Sequence, residues 1–208
     1  MPLRVHHKKQ NGSQVHLWQI SETEDFFISQ NSISSSKWDE VSKWKPNRIK
    51  EWLAGRFLIR QYAQCTSKDL IIDEFGKPQI PLEKELSISH SGEYAALYTS
   101  NHPCGLDIQI TNPSILKIEH KFCTPMDLEV FVGYNKIEAL HFIWCAKEAM
   151  YKAYGKKKID YKKHLSISIR EAGIVGILQK PGVHHSYKLH TSKINGLYMV
   201  YCDQLETL

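Results

Sequence analysis

Two stretches decide the fold when they are read together: GLDIQI at 105–110 and WCAKEAMYKAYGK at 144–156. At about 100° per residue, Ala146, Ala149, Met150 and Ala153 gather on one side of a helix. Lys147, Glu148, Tyr151 and Lys152 gather on the opposite side. The pattern predicts a helix from about Ile137 to Tyr154, stopped by Gly155. GLDIQI alternates, so 104–110 predicts a strand. Leu106, Ile108 and Ile110 take one face; Asp107 and Gln109 take the other.

A solvated strand face and an i,i+4 Glu148–Lys152 pair worth about 0.2–0.5 kcal/mol would explain these features without any chemistry. The alternative is that two carboxylates, an amide and an ammonium converge on one ligand. Hard oxygens from Asp107, Gln109 and Glu148 suit Mg²⁺, which binds phosphate oxygens beside one or two carboxylates. Lys152, one turn from Glu148, would contact the same phosphates.

Working outward, 115–132 reads as helical and ends before the long helix. Beyond it, Leu165–Ile169, Gly173–Leu178, Tyr187–His190 and Leu197–Cys202 predict an antiparallel meander. Upstream, Ile49, Leu53 and Phe57 recur at helical spacing after Pro46, predicting a helix over about 47–63. Asp73-Glu74-Phe75-Gly76-Lys77-Pro78 reads as a turn, and 86–98 as a hairpin about Ser91-Gly92. Val15–Ile20 alternates weakly, and Ser32–Ser36 reads as a loop. The class is α+β. A similar element order before and after residues 100–104 permits two related halves, 1–102 and 103–208.

Composition narrows the function classes. The chain has 208 residues, with 42% hydrophobic and 24% charged residues, as in ordinary globular proteins. No apolar run approaches a membrane span, and the first twelve residues lack the apolar core of a secretory signal. The expected location is the cytoplasm. The net charge of +5 suits an anionic partner, but there is no dense basic stripe of the kind that marks nucleic-acid binding. Five scattered cysteines make neither a disulfide framework nor a zinc or redox motif. Most of the eleven histidines read as surface residues. A phosphate-binding GxxxxGK[ST] loop, a GxGxxG and a GxSxG elbow are all absent.

Four segments then occur in order: GKPQI at 76–80, LSISHSGEYAALY at 86–98, GLDIQI at 105–110 and WCAKEAMYKAYGK at 144–156. Together with NRIKEWLAGRFLIR at 47–60, they resemble the 4′-phosphopantetheinyl transferases of the larger, surfactin-synthetase-activating (Sfp-like) type. The resemblance covers about half the chain, 47–156. It implies a pseudo-twofold pair of α/β halves, each a small antiparallel sheet on a long helix, with coenzyme A in the cleft between them.

The implied reaction moves the 4′-phosphopantetheine arm of coenzyme A to a serine of an acidic apo carrier protein and releases adenosine 3′,5′-bisphosphate. By the same resemblance, Asp107 and Glu148 match Mg²⁺ ligands, and Lys152 matches the lysine on the transferred phosphate. Lys77, Pro78, Ser89 and His90 fall in segments that hold coenzyme A, and Arg56 falls near the nucleotide. Gln109 stands where many members have a second acid. Glu148, or a water it holds, is the expected base. Lys156, Lys157 and Lys158 could steer the carrier. One chain carrying both halves implies a monomer. The rival reading is a non-catalytic coenzyme A or carrier-binding module of the same fold.

Overall fold

The computed structural model describes residues 3–8, 12–65, 70–81, 84–171 and 173–205. The chain divides into two compact units, Met1–Asn101 and His102–Leu208. Each is a mixed α/β unit whose sheets are antiparallel.

In the first unit, β1 (Leu3–Lys8) and β2 (Gln14–Gln19) precede three helices: α1 (Glu24–Gln30), α2 (Ser35–Val41) and α3 (Pro46–Tyr62). The short pair β3 (Ile71–Ile72) and β4 (Pro78–Gln79) follows, then the hairpin β5 (Glu85–Ser91) and β6 (Tyr94–Ser100). The main sheet runs β1-β2-β6-β5. Helix α3 packs on it with Leu53, Ala54, Phe57 and Leu58 buried. The turn at 73–77 is built by Asp73, whose Oδ1 accepts from the backbone N–H groups of Phe75 and Lys77 at 2.9 and 2.8 Å. Gly76 supplies the left-handed φ of 92°.

The expected serine loop is partly helix. Ser34 accepts from Lys37 N at 3.3 Å and caps α2, so serines read as loop residues act instead as a helix start. Two of the histidines are core residues. His16 is fully buried and stacks on Tyr62 at 3.8 Å, and His141 is 2% exposed.

In the second unit, β7 (Cys104–Ile110) leads through α4 (Ile115–Phe122) and α5 (Pro125–Glu129) to α6 (Lys136–Tyr154). The meander β8 (Leu165–Arg170), β9 (Gly173–Lys180), β10 (Val183–Ile194) and β11 (Leu197–Gln204) follows. It returns to β7, giving the order β7-β11-β10-β9-β8, with Asp107 opposite Val200 and Gln109 opposite Tyr198.

The single helix expected over 115–132 is two. Thr124 is extended ahead of Pro125, and Thr124 and Asp127 form a reciprocal capping box that starts α5 anew. Helix α6 begins on the Asn135–Glu138 capping box and ends at Gly155, φ 68°. Among the described residues, no helix is long and apolar enough to cross a membrane.

The exit from β7 is pinned. Thr111 N and Oγ1 both donate to Gly196 O at 2.8 Å, and Asn112 N donates to His141 Nε2 at 3.1 Å. His141 Nδ1–H donates to Ile137 O at 2.7 Å, and its ring stacks on Tyr198. These two bonds require the neutral imidazole with its proton on Nδ1.

Candidate functional site

The site of the second unit rests on a close approach of strand to helix. Gly105 of β7 lies against the α6 backbone, and a Cβ there would sit 1.8 Å from Ala149 O and 2.9 Å from Ala153 N. Ala149 and Ala153, on the apolar stripe, permit this approach. The strand face carrying Asp107 is therefore not solvated as an amphipathic strand would be. Asp107 is 3% exposed.

Asp107 Oδ1 accepts from Lys152 Nζ at 2.8 Å, and Oδ2 accepts from Gln109 Nε2 at 3.1 Å. Lys152 also donates to Leu106 O at 2.9 Å. Glu148 is half-buried one turn before Lys152. Burial first, and then the Asp107 charge, raise its carboxyl pKa above the ordinary value; Lys152 and a hydrogen bond from Tyr161 oppose the rise. Asp107, Gln109, Glu148 and Lys152 are thus brought together, and two carboxylates repel each other in a half-dry place. A hard divalent cation would relieve that repulsion, with two carboxylates to hold it, while the Gln109 amide presents its nitrogen rather than its oxygen to Asp107.

Lys147 does not share that polar face. It is fully buried, and its ammonium spends all three N–H groups: on Phe122 O at 2.7 Å, Asp127 Oδ2 at 2.7 Å and Tyr161 O at 3.0 Å. Burial lowers its pKa, and Asp127 opposes the shift. Asp127, 1% exposed, also accepts from Thr124 N, Thr124 Oγ1 and Ile167 N. The pair ties α4, α5, β8 and the turn at Tyr161 to α6. Sequence periodicity missed it because a lysine beside a glutamate reads as surface. A Thr-Pro-x-Asp capping pattern one helix upstream was the available signal.

Beside Tyr161 lies a hollow of about 620 Å³, lined by Ile118, Phe122, Trp144 and Tyr161 together with Lys121 and Lys162. Burial first, then Asp127, pushes the Cys123 thiol up to about 11, away from the thiolate form.

The candidates of the first unit are spread over α3, β4 and β5. Lys77 Nζ pairs with Glu85 at 2.6 Å, and Pro78 opens β4. His90 Nδ1 lies 3.1 Å from Glu51 of α3. Ser89 is buried on the opposite strand face from His90, so the two side chains do not share a face. The Arg56 guanidinium lies 3.8 Å over the Trp52 ring. Burial pulls its pKa down to about 10, against the charge of Glu40, and it stays charged at neutral pH.

A family model described as the 4′-phosphopantetheinyl transferase superfamily matches residues 103–200. The curated 4′-phosphopantetheinyl transferase gsp of Aneurinibacillus migulanus is 29% identical over 113 residues, which is 50% of this chain and 48% of that protein. A 4′-phosphopantetheinyl transferase of Bacillus subtilis is 26% identical over 65% of this chain and 66% of its own. The Sfp protein of Bacillus subtilis (strain 168) is 28% identical over 72% and 70%. The chain thus spans from about half to about two thirds of the length of these relatives. The crystal structure of holo-ACP-synthase from Plasmodium yoelii aligns at 17% identity and a TM-score of 0.39, too low to carry a comparison. With the superfamily model lying over β7 to β11 and three curated transferases matching in part, the second unit of the chain is similar to the 4′-phosphopantetheinyl transferase superfamily.

Proposed function

We propose that the protein transfers the 4′-phosphopantetheine arm of coenzyme A to a serine of an acidic apo carrier protein, with Mg²⁺, releasing adenosine 3′,5′-bisphosphate. The observation that carries this reading is the convergence of Asp107, Glu148 and Lys152 from β7 and α6, with Lys152 Nζ 2.8 Å from Asp107. Asp107 and Glu148 would hold the metal. Gln109 would assist through its amide oxygen or by holding Asp107, to which its amide nitrogen already donates. When bound, Mg²⁺ would supply charge neutralisation on the diphosphate.

The remaining work falls to side chains. Lys152 is within reach of the same anionic region and would stabilise charge developing on the leaving phosphate. Glu148, its carboxyl raised toward neutrality by burial and Asp107, is suited to take the serine proton, directly or through water. Lys77, Pro78, Ser89, His90 and Arg56 are proposed to hold coenzyme A. Lys77 and His90 would then exchange Glu85 and Glu51 for phosphate oxygens, or share them. The carrier's acidic surface would meet Lys156–Lys158 and the lysines beside the hollow at Trp144. We further propose a cytoplasmic monomer whose two units are related by a pseudo-twofold duplication. Sedimentation near 24.1 kDa would support the monomer, and a stable dimer would refute it.

The deciding experiment incubates the protein with coenzyme A, Mg²⁺ and a panel of apo carrier proteins and weighs the carriers. A phosphopantetheine mass gain that is lost in Glu148→Gln supports the transferase. Coenzyme A binding without a mass gain would make the protein a non-catalytic binding module.

A further inference from the structure

The end of α6 is packed against the β9–β10 hairpin. Tyr154 is the last residue of the helix, and Lys180 Nζ of β9 lies 4.9 Å from the centre of its ring. The His185 ring of β10 lies 5.9 Å from the same tyrosine, and Gln204 Nε2 donates to His185 Nδ1 at 2.8 Å. Lys180 pairs with Val183 across the turn Pro181-Gly182, which sets the register of the hairpin. Ring contacts and strand pairing hold this corner together.

Gly155 then turns the chain away from the helix with φ 68°, and Lys156, Lys157 and Lys158 follow, all exposed. Lys180 is half-buried. Among the described residues, none of these four lysines is ion-paired with a carboxylate. Burial first, then His184 and Lys156, pulls the His185 pKa below its ordinary value, so the ring stays neutral beside the lysines at pH 7. Like charges gathered in this way repel, and an anionic surface laid over them relieves the repulsion.

The surroundings choose the kind of anion. Exposed lysines at a helix end and a hairpin tip suit a broad protein face, whereas a small molecule calls for a concave site. The Tyr154 ring is covered by Lys180 and flanked by His185, so it is not open for the base stacking that single-stranded nucleic acid uses. Lys156 also stands only four residues beyond Lys152. A folded carrier whose serine reaches Lys152 and Glu148 is wide enough to lie over this corner.

We propose that Lys180 and the β9–β10 hairpin extend the surface begun by Lys156–Lys158, so that an acidic face of the apo carrier lies across the end of α6 and the hairpin together. This rests on the reading of the protein as a transferase that acts on an acidic carrier.

The test measures binding of a fluorescently labelled apo acyl carrier protein by anisotropy, without coenzyme A. At low salt, Lys180→Glu should weaken binding about fivefold, and the difference should close to within about twofold at high salt. Lys180→Arg, which keeps the charge and the contact with Tyr154, should bind like wild type. Lys188→Glu makes the same change in net charge on the opposite face of β10 and should stay within about twofold. Calorimetric affinity for coenzyme A should be unchanged in all three. If Lys180→Glu fails to fold, Lys180→Met replaces it, with an expected loss of about twofold to threefold.

Unchanged carrier binding in Lys180→Glu, or an equal loss in Lys188→Glu, would overturn the proposal. So would single-stranded DNA that binds wild type as tightly as the carrier and responds to Lys180 in the same way. The expected pattern in a protein that adds no phosphopantetheine mass to the carrier would uphold the docking surface and sink the transferase reading. Transfer that proceeds without any effect of Lys180 would do the reverse.

Discussion

Replacing Gly105 with alanine should separate the two elements that carry the site. The added Cβ would lie 1.8 Å from Ala149 O and 2.7 Å from Ala149 C, and real Cβ contacts stay beyond 3.0 Å. All the obstructing atoms are backbone, so no side chain can rotate away. Either β7 or α6 must retreat by at least 1.2 Å, the gap between those two distances. Overpacking of this kind costs about 1–3 kcal/mol, and a clash with helix backbone should reach the upper end. The same retreat would stretch the 2.8 Å Lys152–Asp107 contact toward 4 Å and end it as a hydrogen bond. Urea unfolding should therefore show a loss of about 3 kcal/mol. Transfer activity should fall even where the variant is fully folded. A variant within about 0.5 kcal/mol of wild type and fully active would show that strand and helix do not touch in this way.

Three further outcomes follow from other contacts. Lys147→Met should destabilise by about 3–5 kcal/mol, because it strands Asp127 as a buried unpaired charge; a loss below about 1 kcal/mol in denaturant titration would contradict the pairing. His141 is pulled below its ordinary pKa, chiefly by burial, so the folded state binds its proton less readily than the unfolded chain. Its contribution to stability should be full above pH 6.5, the ordinary histidine value that the unfolded chain keeps, and be lost as the pH falls below it; unfolding midpoints across pH 5–8 should lose that part of their slope in His141→Gln. Gln109→Glu sets a third carboxylate where an amide now donates to Asp107, so Mg²⁺ should bind more tightly by isothermal titration; unchanged or weaker binding would remove position 109 from the metal's surroundings.

Strong local signals carried most of the fold. The ends of β7 and α6 were legible because alternation, helical periodicity and Gly155 all agree there. The break at Thr124-Pro125 was not, because apolar residues continue on both sides and only the capping box interrupts them. Helices α1 and α2 escaped because they are short, seven residues each, and Ser34 resembles a loop serine until its acceptor role is seen.

Of the candidate site, the residue types of Asp107, Glu148 and Lys152 were visible in sequence, but their desolvation was not. Burial of Asp107 comes from tertiary closure at Gly105. Lys147 and Glu148 are neighbours with opposite surroundings, one walled in by Asp127 and two carbonyls, the other open to Asp107 and Tyr161. Periodicity assigns angles around a helix, and what stands at each angle is decided by the rest of the chain.

The contact of Gly105 with the backbone of α6 also bears on how the site responds to pressure. Interiors yield to compression where voids and side-chain packing leave slack, and pressure favours states that eliminate such voids. Between Gly105 and Ala149 there is no side chain to repack and no room even for a methyl group. The span from Asp107 to Lys152 is consequently set by two main chains already in contact. Hydrostatic compression should shorten the aromatic-filled layers around Phe122, Phe131 and Phe142 first and leave this joint almost unchanged.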